Sequence, residues 1–473
     1  MNAANTFQTR SDSGKDVFDV AVIGGGVVGC AALRAVATRG LSAVLLEAEA
    51  DLLEGASKAN SAILHTGFDA PSGSIEHGMV RRGHALYRRI HERAGLPLLE
   101  TGAVLVAWTE ADVGQLPNLA AKAHANGVGD VRVIDRSELL RREPNLSDRA
   151  RGALLVPGES VIDPWSAPLA YALQATRHGA RILRGCRVTG GRRVGGEWRL
   201  DTSLGAIAAK VTVNCAGLSG DRVEAIARAP DFEIRPRKGQ FLVFEKRAHD
   251  LVGAIVLKVP TERTKGVLLT RTAFGNLLLG PTAEEQQDRH RAPTDRAVLA
   301  ELRLEGEAML PALADCVITA CYAGLRPGTQ HQDYQLRADE ALGWITVGGA
   351  RSTGLTASLA LGEYVAEAAG SMLGGSRLDP DDQSLDWPQM PNLAESRHRP
   401  HQGADRSDIV CHCELVTERE VTEACNGPIP AGTLGGLKRR TRAMMGACQG
   451  FGCAGRVLEI ASLQQTAPAG ARL

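Results

Sequence analysis

From Val17 onward, short unbroken apolar runs alternate with small-residue stretches of helical period. Val20 to Ile23 is continuously apolar, as in a strand buried on both faces. Gly24, Gly26 and Gly29 follow in the spacing G-x-G-x-x-G. Cys30 to Thr38 then has the pattern of a packed helix, with Gly40 placed to cap its C-terminus. A second apolar run, Ala43 to Leu46, ends at Glu47, 23 positions after Gly24. Strand, glycine turn, helix, strand and acid in that order predict a βαβ unit opening a parallel sheet.

Further along, Glu76 to Ala94, Asp112 to Asn126, Arg136 to Arg142 and Trp165 to His178 have helical spacing. The last of these is preceded by Pro164, near its first turn. Gly102 to Trp108, Arg181 to Val188, Glu197 to Asp201 and Ala209 to Asn214 read as strands. Arg235 to Phe244, Val259 to Leu269, Gly275 to Pro281 and Cys321 to Pro327 are strand-rich and punctuated by turns. That region predicts a separate antiparallel sheet closing over the first. Trp344 to Gly348 is a further strand, followed by a glycine turn and a helix running to about Ala369. Gly374 to Asp408 is rich in Pro, Asp, Ser, His and Arg without periodicity and reads as a linker. The expected organisation is a disordered leader over 1–16, a two-part body over 17–373, a linker over 374–408 and a small domain over 409–473. The fold class is a Rossmann-like α/β domain with an inserted antiparallel-sheet (α+β) domain and a small C-terminal domain.

Composition narrows the function classes. The 473 residues carry 54 Lys plus Arg and 54 Asp plus Glu, so no net charge favours nucleic acid or a polybasic membrane contact. No run has the length of a membrane span. The first 16 residues are polar and lack the apolar core of a signal peptide. The expected location is cytoplasmic, with peripheral association at the inner membrane left open. Of ten cysteines, Cys30, Cys186, Cys215, Cys316, Cys321 and Cys425 are scattered, and the first five read as core thiols.

The glycines imply a dinucleotide. Gly24 permits the tight turn, Gly26 lets the backbone approach a pyrophosphate, and Gly29 lets helix and strand pack closely. The helix N-terminus offers unpaired N–H groups to phosphate, and Glu47 can accept hydrogen bonds from a ribose. Small polar residues from Glu54 to Gly67, among them Ser57, Asn60 and Ser61, suit a backbone wrapped around a cofactor. Val188, Ala216 and Gly217 lie at or beyond strand ends, and Gly349 and Gly354 frame a second glycine turn before a helix N-terminus.

Several segments together are specific. Val22-Ile-Gly-Gly-Gly-Val-Val-Gly29, Asn60-Ser-Ala-Ile-Leu-His-Thr-Gly67, Asn214-Cys-Ala-Gly217, Arg237-Lys-Gly-Gln-Phe241, Lys265-Gly266, Tyr322-Ala-Gly-Leu-Arg-Pro327 and Gly348-Gly-Ala-Arg-Ser-Thr-Gly354 resemble one family. It is the FAD-dependent amino-acid and hydroxy-acid oxidoreductases, which include glycerol-3-phosphate dehydrogenases and oxidases and L-2-hydroxyglutarate oxidases. The resemblance implies FAD and hydride transfer to flavin N5. It implies His65 as general base, Lys265 and Arg326 as cations for an anionic substrate, and Ser352 and Thr353 in reach of flavin or substrate. The substrate it implies first is sn-glycerol 3-phosphate, with L-2-hydroxyglutarate or another 2-hydroxy acid as the alternative and an amine or opine as a more distant one. A non-catalytic electron-transfer subunit is the competing reading from another class, and a missing active-site cation would favour it.

Near the C-terminus, Cys411-His-Cys413 and Cys448-Gln-Gly-Phe-Gly-Cys453 stand 34 residues apart. Four thiolates from two turns can hold a [2Fe–2S] cluster or zinc. Arg439-Arg-Thr-Arg442 could stabilise a negative cluster or be a solvated helix end. This region resembles the bacterioferritin-associated-ferredoxin-like [2Fe–2S] domain, found also in the large subunit of anaerobic glycerol-3-phosphate dehydrogenase. The resemblance implies Cys411, Cys413, Cys448 and Cys453 as ligands. It also implies one-electron transfer to an acceptor protein or quinone, through further subunits where present.

Overall fold

The computed structural model describes residues 17–260, 266–375, 385–403 and 407–466. The leader over 1–16 lies outside the described residues. The first sheet is built on five parallel strands, in the order Arg181–Leu183, Ala43–Leu46, Val17–Ile23, Gly205–Asn214 and Trp344–Gly348. Ile23 registers with both Leu46 and Asn214, which brings three strand ends to one edge. That edge is where ligands bind in such sheets. Gln335–Asp339 adds an antiparallel edge, and Val188–Val194 with Glu197–Thr202 forms a meander against the first half of Gly205–Asn214. Arg181 to Val188 is thus two elements, broken between Leu183 and Val188. At the break, Gly185 and Cys186 donate their N–H groups to the carbonyls of Glu49 and Glu47.

The helix Val27–Thr38 packs between this sheet and the helices Ser166–Arg177 and Gly354–Met372. Its end follows the sequence: Gly40 has φ +74° and closes the helix onto Ala37, while Leu41 N–H reaches the Val36 carbonyl. The helix Ile75–Ile90 crosses Gly354–Met372 so closely that a Cβ on Gly83 would lie 2.0 Å from the Thr356 carbonyl oxygen.

The second sheet has nine strands drawn from three separated parts of the chain, roughly residues 103–156, 234–285 and 318–329. Its centre is the long antiparallel pair Ile234–Phe244 and Ile318–Thr329. One pair, Ile255–Lys258 with Ala103–Ala107, is parallel, so the sheet is mixed. It has its own core, including Phe244, Leu269, Leu277 and Leu279.

The stretch read as a linker is not a free spacer where it is described. Over 385–403 it has no strand and only a short turn of helix, yet Leu385, Trp387, Leu393 and Ala394 are buried. Trp387 lies under the Arg34 guanidinium, 4.3 Å from ring centre to Cζ, and edge-on to Tyr171. The C-terminal region is a small unit of the hairpin Ile409–Cys411 with Val416–Thr417 and the helices Glu418–Asn426, Leu434–Thr441 and Ala454–Thr466.

Candidate active site and redox centre

The strand ends of the first sheet open into a cavity of about 720 Å³, a size suited to a large ligand. Of the residues singled out from sequence, Gly24, Gly26, Glu47, Ser57, Asn60, Ser61, Val188, Ala216, Gly217, Arg326, Gly349, Ser352 and Gly354 line it. Gly29 does not, and its role is packing: a Cβ there would meet the Gly24 carbonyl oxygen at 1.9 Å. A Cβ on Gly26 would meet only the Ser57 hydroxyl, at 3.2 Å, so this glycine leaves a cradle in front of the helix. Ser57 Oγ accepts from Val27 N–H at 3.0 Å and fixes the loop against that helix N-terminus.

Glu47 is almost fully buried, with Oε2 accepting from Gly25 N–H at 2.6 Å and Oε1 from Glu49 N–H at 2.8 Å. Burial pushes its carboxyl above the ordinary range, opposed by those two amides. An acid on a strand end, beside a glycine turn and a helix N-terminus, fits an adenosine diphosphate group.

The second sheet closes the other wall. Phe241 and Tyr322 stack with ring centres 4.7 Å apart, and Tyr322 donates to the Asn60 carbonyl at 2.8 Å. Arg326 lies between these strands and donates to the carbonyls of Thr282 at 2.7 Å and Lys238 at 3.2 Å. Among the described residues no carboxylate pairs with it. Burial first, then the charges of Arg237 and Arg351, bring its guanidinium down to about 10. A desolvated cation with cationic neighbours is a ready anion site.

His65 is outside the cavity lining; its side chain is 23% exposed, and Nδ1 lies 3.0 Å from Oε2 of the buried Glu159. Its N–H donates to Thr356 Oγ1 at 3.0 Å, tying the strand Ile63–Leu64 to the helix whose first residues line the cavity. Thr353 does not reach the cavity. Its hydroxyl is 2.7 Å from the Tyr334 hydroxyl and donates to Glu76 Oε1 at 2.6 Å, so it is a buried cross-link. Lys265 lies outside the described residues. Sequence reasoning passed over Glu159 and also Arg289, a lining residue whose guanidinium holds Asp221 and the Leu218 carbonyl below the cavity. Neither carries a local signal; each is defined by partners far along the chain.

At the C-terminus the four thiols stand as two neighbouring pairs, Cys413 with Cys448 and Cys411 with Cys453. Among the described residues no three His, Cys, Asp or Glu side chains close into a metal cage. The donor set nevertheless fits a two-iron cluster, which takes four thiolates. The backbone amides around the Cys448 thiol, that of Gly452 foremost, together with the Cys413 thiol hold it below the ordinary thiol range. Burial and then the neighbouring Cys411 push Cys453 up to about 11. Backbone strain concentrates at the two sites. Among the described residues the non-glycine ones with positive φ are Leu53, Ala62 and Arg351 by the cavity and Leu415, Arg442, Met444 and Gln449 by the thiols.

The basic run beside the thiols is neither a cluster counter-charge nor a solvated end. Arg440 makes a two-pronged pair with Asp51, both contacts 2.8 Å, and Arg439 Nη2 meets Glu54 Oε1 at 2.6 Å and the Leu52 carbonyl at 3.2 Å. Arg442 pairs with Glu414 at 2.9 Å and lies over Phe274. The small domain thus docks on the cavity-lining loop of its own chain.

The chain is similar to several known proteins. The chain is 31% identical over 451 residues to a glycerol 3-phosphate dehydrogenase of Caloramator mitchellensis, covering 94% of each. It is 27% identical over 486 residues to one of the subunits of the anaerobic glycerol-3-phosphate dehydrogenase of Escherichia coli (strain K12), covering 93% of this chain and 86% of that one. The solved structure of dithionite-reduced L-alpha-glycerophosphate oxidase from Mycoplasma pneumoniae with FAD bound matches at TM-score 0.70 and 27% identity, covering 80% of this chain and 97% of that one. Residues 409–462 match the BFD-like [2Fe-2S] binding domain, which favours a cluster over zinc. Residues 19–368 match the FAD dependent oxidoreductase (DAO) family, and the chain belongs to that family, an FAD-dependent oxidoreductase extended by a C-terminal [2Fe–2S] domain.

Proposed function

We propose that the chain oxidises sn-glycerol 3-phosphate to dihydroxyacetone phosphate and passes the electrons to a protein or quinone acceptor. The observation that carries this reading is Arg326, a desolvated cation in the cavity wall with no carboxylate partner among the described residues. The names of relatives matched along nearly the whole chain give the anion its identity.

Bound FAD supplies the hydride acceptor, and a bound [2Fe–2S] cluster carries electrons onward singly. Glu47 would accept from the adenosine ribose. The Gly26 cradle and the N-terminus of the helix Val27–Thr38 receive the pyrophosphate, while Ser57, Asn60 and Ser61 hold the loop around it. Val188, Ala216 and Gly217 wall the nucleotide. Gly349, Ser352 and Gly354 would place the N-terminus of the helix Gly354–Met372 against the bound cofactor, where it would favour negative charge. Arg326, with Lys265 as second cation, holds the substrate phosphate. His65 takes the hydroxyl proton as hydride leaves the same carbon, so the alcohol loses two electrons and two hydrogens in balance. Cys411, Cys413, Cys448 and Cys453 hold the cluster. The acceptor lies on another protein of the assembly or at the cytoplasmic face of the membrane. Among the described residues no helix is long and apolar enough to cross a membrane.

The test is anaerobic flavin bleaching by glycerol 3-phosphate and, separately, by L-2-hydroxyglutarate. Fast bleaching by the first, lost in Arg326→Ala and His65→Asn with FAD still bound, is the expected result. Bleaching by the hydroxy acid alone would move the substrate to the carboxylate class that the same cation serves. Bleaching by neither, or no effect of either substitution, would overturn the assignment.

A further inference from the structure

Glu159 has no place in the sequence reading, yet it is fully buried beside the proposed base. It sits in the turn between the strands Gly152–Val156 and Ser160–Ile162. Its own carbonyl accepts from Gly102 N–H at 2.9 Å, which anchors that turn to the second sheet. Oε1 accepts from Thr66 N–H at 2.6 Å and from Thr66 Oγ1 at 2.9 Å. Oε2 meets His65 Nδ1 at 3.0 Å. The carboxylate is therefore gripped by the residue next to the histidine and aimed at one ring nitrogen.

No Lys or Arg pairs with Glu159 among the described residues. A carboxylate buried with only hydrogen-bond donors around it is costly unless those donors serve it well. A deprotonated carboxylate can only accept, so the proton at this contact belongs to His65 Nδ1. That fixes the tautomer and leaves the lone pair on Nε2, the nitrogen then able to take a proton. The backbone beneath the ring is fixed as well, since the main-chain N–H of His65 donates to Thr356 Oγ1.

We propose that Glu159 is a positioning residue for the oxidation, acting through His65: it sets the tautomer and orientation of the imidazole and stabilises the imidazolium formed when the substrate hydroxyl gives up its proton. This rests on the assignment of His65 as base. Substitution by glutamine keeps size and one acceptor oxygen. An oxygen kept at Thr66 would turn the glutamine NH2 toward Nδ1, and that donor would favour the other tautomer, with its proton on Nε2 and no base.

The experiment is stopped-flow reduction of the FAD-bound holoenzyme by glycerol 3-phosphate under anaerobic conditions, resolved into a limiting rate and an apparent Kd. In Glu159→Gln the limiting rate is expected to fall on the order of 100-fold or more, as when the orienting acid of a base is neutralised elsewhere. FAD content and apparent Kd should stay within about twofold of the parent, a split that a general loosening of the site would not give. His65→Asn should fall at least as far, and His65→Asn/Glu159→Gln no further than His65→Asn alone. A wild-type limiting rate in Glu159→Gln beside a slow His65→Asn overturns the positioning role and keeps the base. A wild-type rate in His65→Asn overturns both. A double variant slower than His65→Asn by a further factor of about ten overturns action through His65. If Glu159→Gln yields no FAD-bound protein, Thr66→Val serves. It keeps the carboxylate and removes one of its anchors: a limiting rate several-fold lower at unchanged Kd supports the role, and a wild-type rate overturns it.

Discussion

Replacing Arg440 by alanine removes one partner of the buried ion pair that helps seat the cluster domain on the flavin domain. Asp51 has no exposed side-chain surface, and Arg440 has 9%. Both carboxylate oxygens receive a guanidinium N–H at 2.8 Å, and Asp51 Oδ2 also accepts from Gly432 N–H at 3.0 Å. Breaking a buried pair by removing one partner costs about 3–5 kcal/mol, because the other charge stays buried. Arg184 Nη1, 3.5 Å from Asp51, remains as partial compensation, so the lower end, about 3 kcal/mol, is expected. That weakens docking by a factor on the order of 100. The assay is hydrogen exchange on the holoprotein, read at the amides of Leu434–Thr441. Their exchange should quicken about 100-fold in Arg440→Ala, while amides of Val27–Thr38 stay within about twofold. Asp51→Leu/Arg440→Met, which leaves neither charge behind, should recover most of the loss. Burial raises the Asp51 carboxyl, but Arg440, Gly432 and Leu52 outweigh it, and its net position is below the ordinary value. Its contribution is therefore full above the ordinary carboxylate range and is lost as pH falls through the depressed folded value. The difference between parent and Arg440→Ala should shrink in acid. Less than a tenfold change in exchange near neutral pH would refute the view that this pair carries the docking.

Four further outcomes follow from the same geometry. Gly29→Ala places a methyl carbon 1.9 Å from a backbone oxygen, so the purified protein should lack flavin absorbance. Glu47→Gln keeps an acceptor for only one of the two backbone N–H groups that the carboxylate serves, so FAD affinity should fall on the order of tenfold and the FAD-free protein should gain no stability; titration calorimetry and apo-protein melting read the two. Thr353→Val breaks the bonds to Tyr334 and Glu76 and should cost about 1–3 kcal/mol in denaturant unfolding, with the limiting rate of flavin reduction near that of the parent. Cys448→Ser should abolish cluster absorbance and lower bound iron, leave FAD in place and flavin bleaching by substrate intact, and slow transfer to a one-electron acceptor such as ferricenium.

What was legible in the sequence is what is encoded locally. The glycine turn, its helix and Glu47 lie within 24 residues, so one window holds strand, close approach and acid. The cysteine pairs are likewise two short turns. The groups that complete each site are not local. Glu159 is 94 positions from His65, and Asp51 is 389 from Arg440. An arginine run read alone has only its own charge to suggest a role, and at 439–442 that charge points to solvent or to a cluster. The partners of Arg439 and Arg440 are two acids of a loop whose own sequence looks like an ordinary turn, and that of Arg442 is Glu414. Thr353 fails for the converse reason: beside a glycine turn it looks available, and only the fold supplies Tyr334 and Glu76.

The stretch over 385–403 shows the limit of periodicity most directly. Leu385, Trp387, Leu393 and Ala394 follow neither a 3.6 nor a 2.0 repeat, so no regular element is signalled. Yet Trp387 covers Arg34 on the nucleotide-facing helix, and Leu393 and Ala394 pack with Phe274. Phe274 in turn lies under Arg442, 4.1 Å from ring centre to Cζ, and Arg442 pairs with Glu414 next to Cys413. The connector therefore touches the first domain at one end and the support of the thiol loop at the other. Together with the Asp51 and Glu54 contacts, this holds the cluster domain at two separate places, which limits rocking about either one. A fixed separation between the two redox groups is what serial one-electron transfer needs, and here irregular chain supplies part of it.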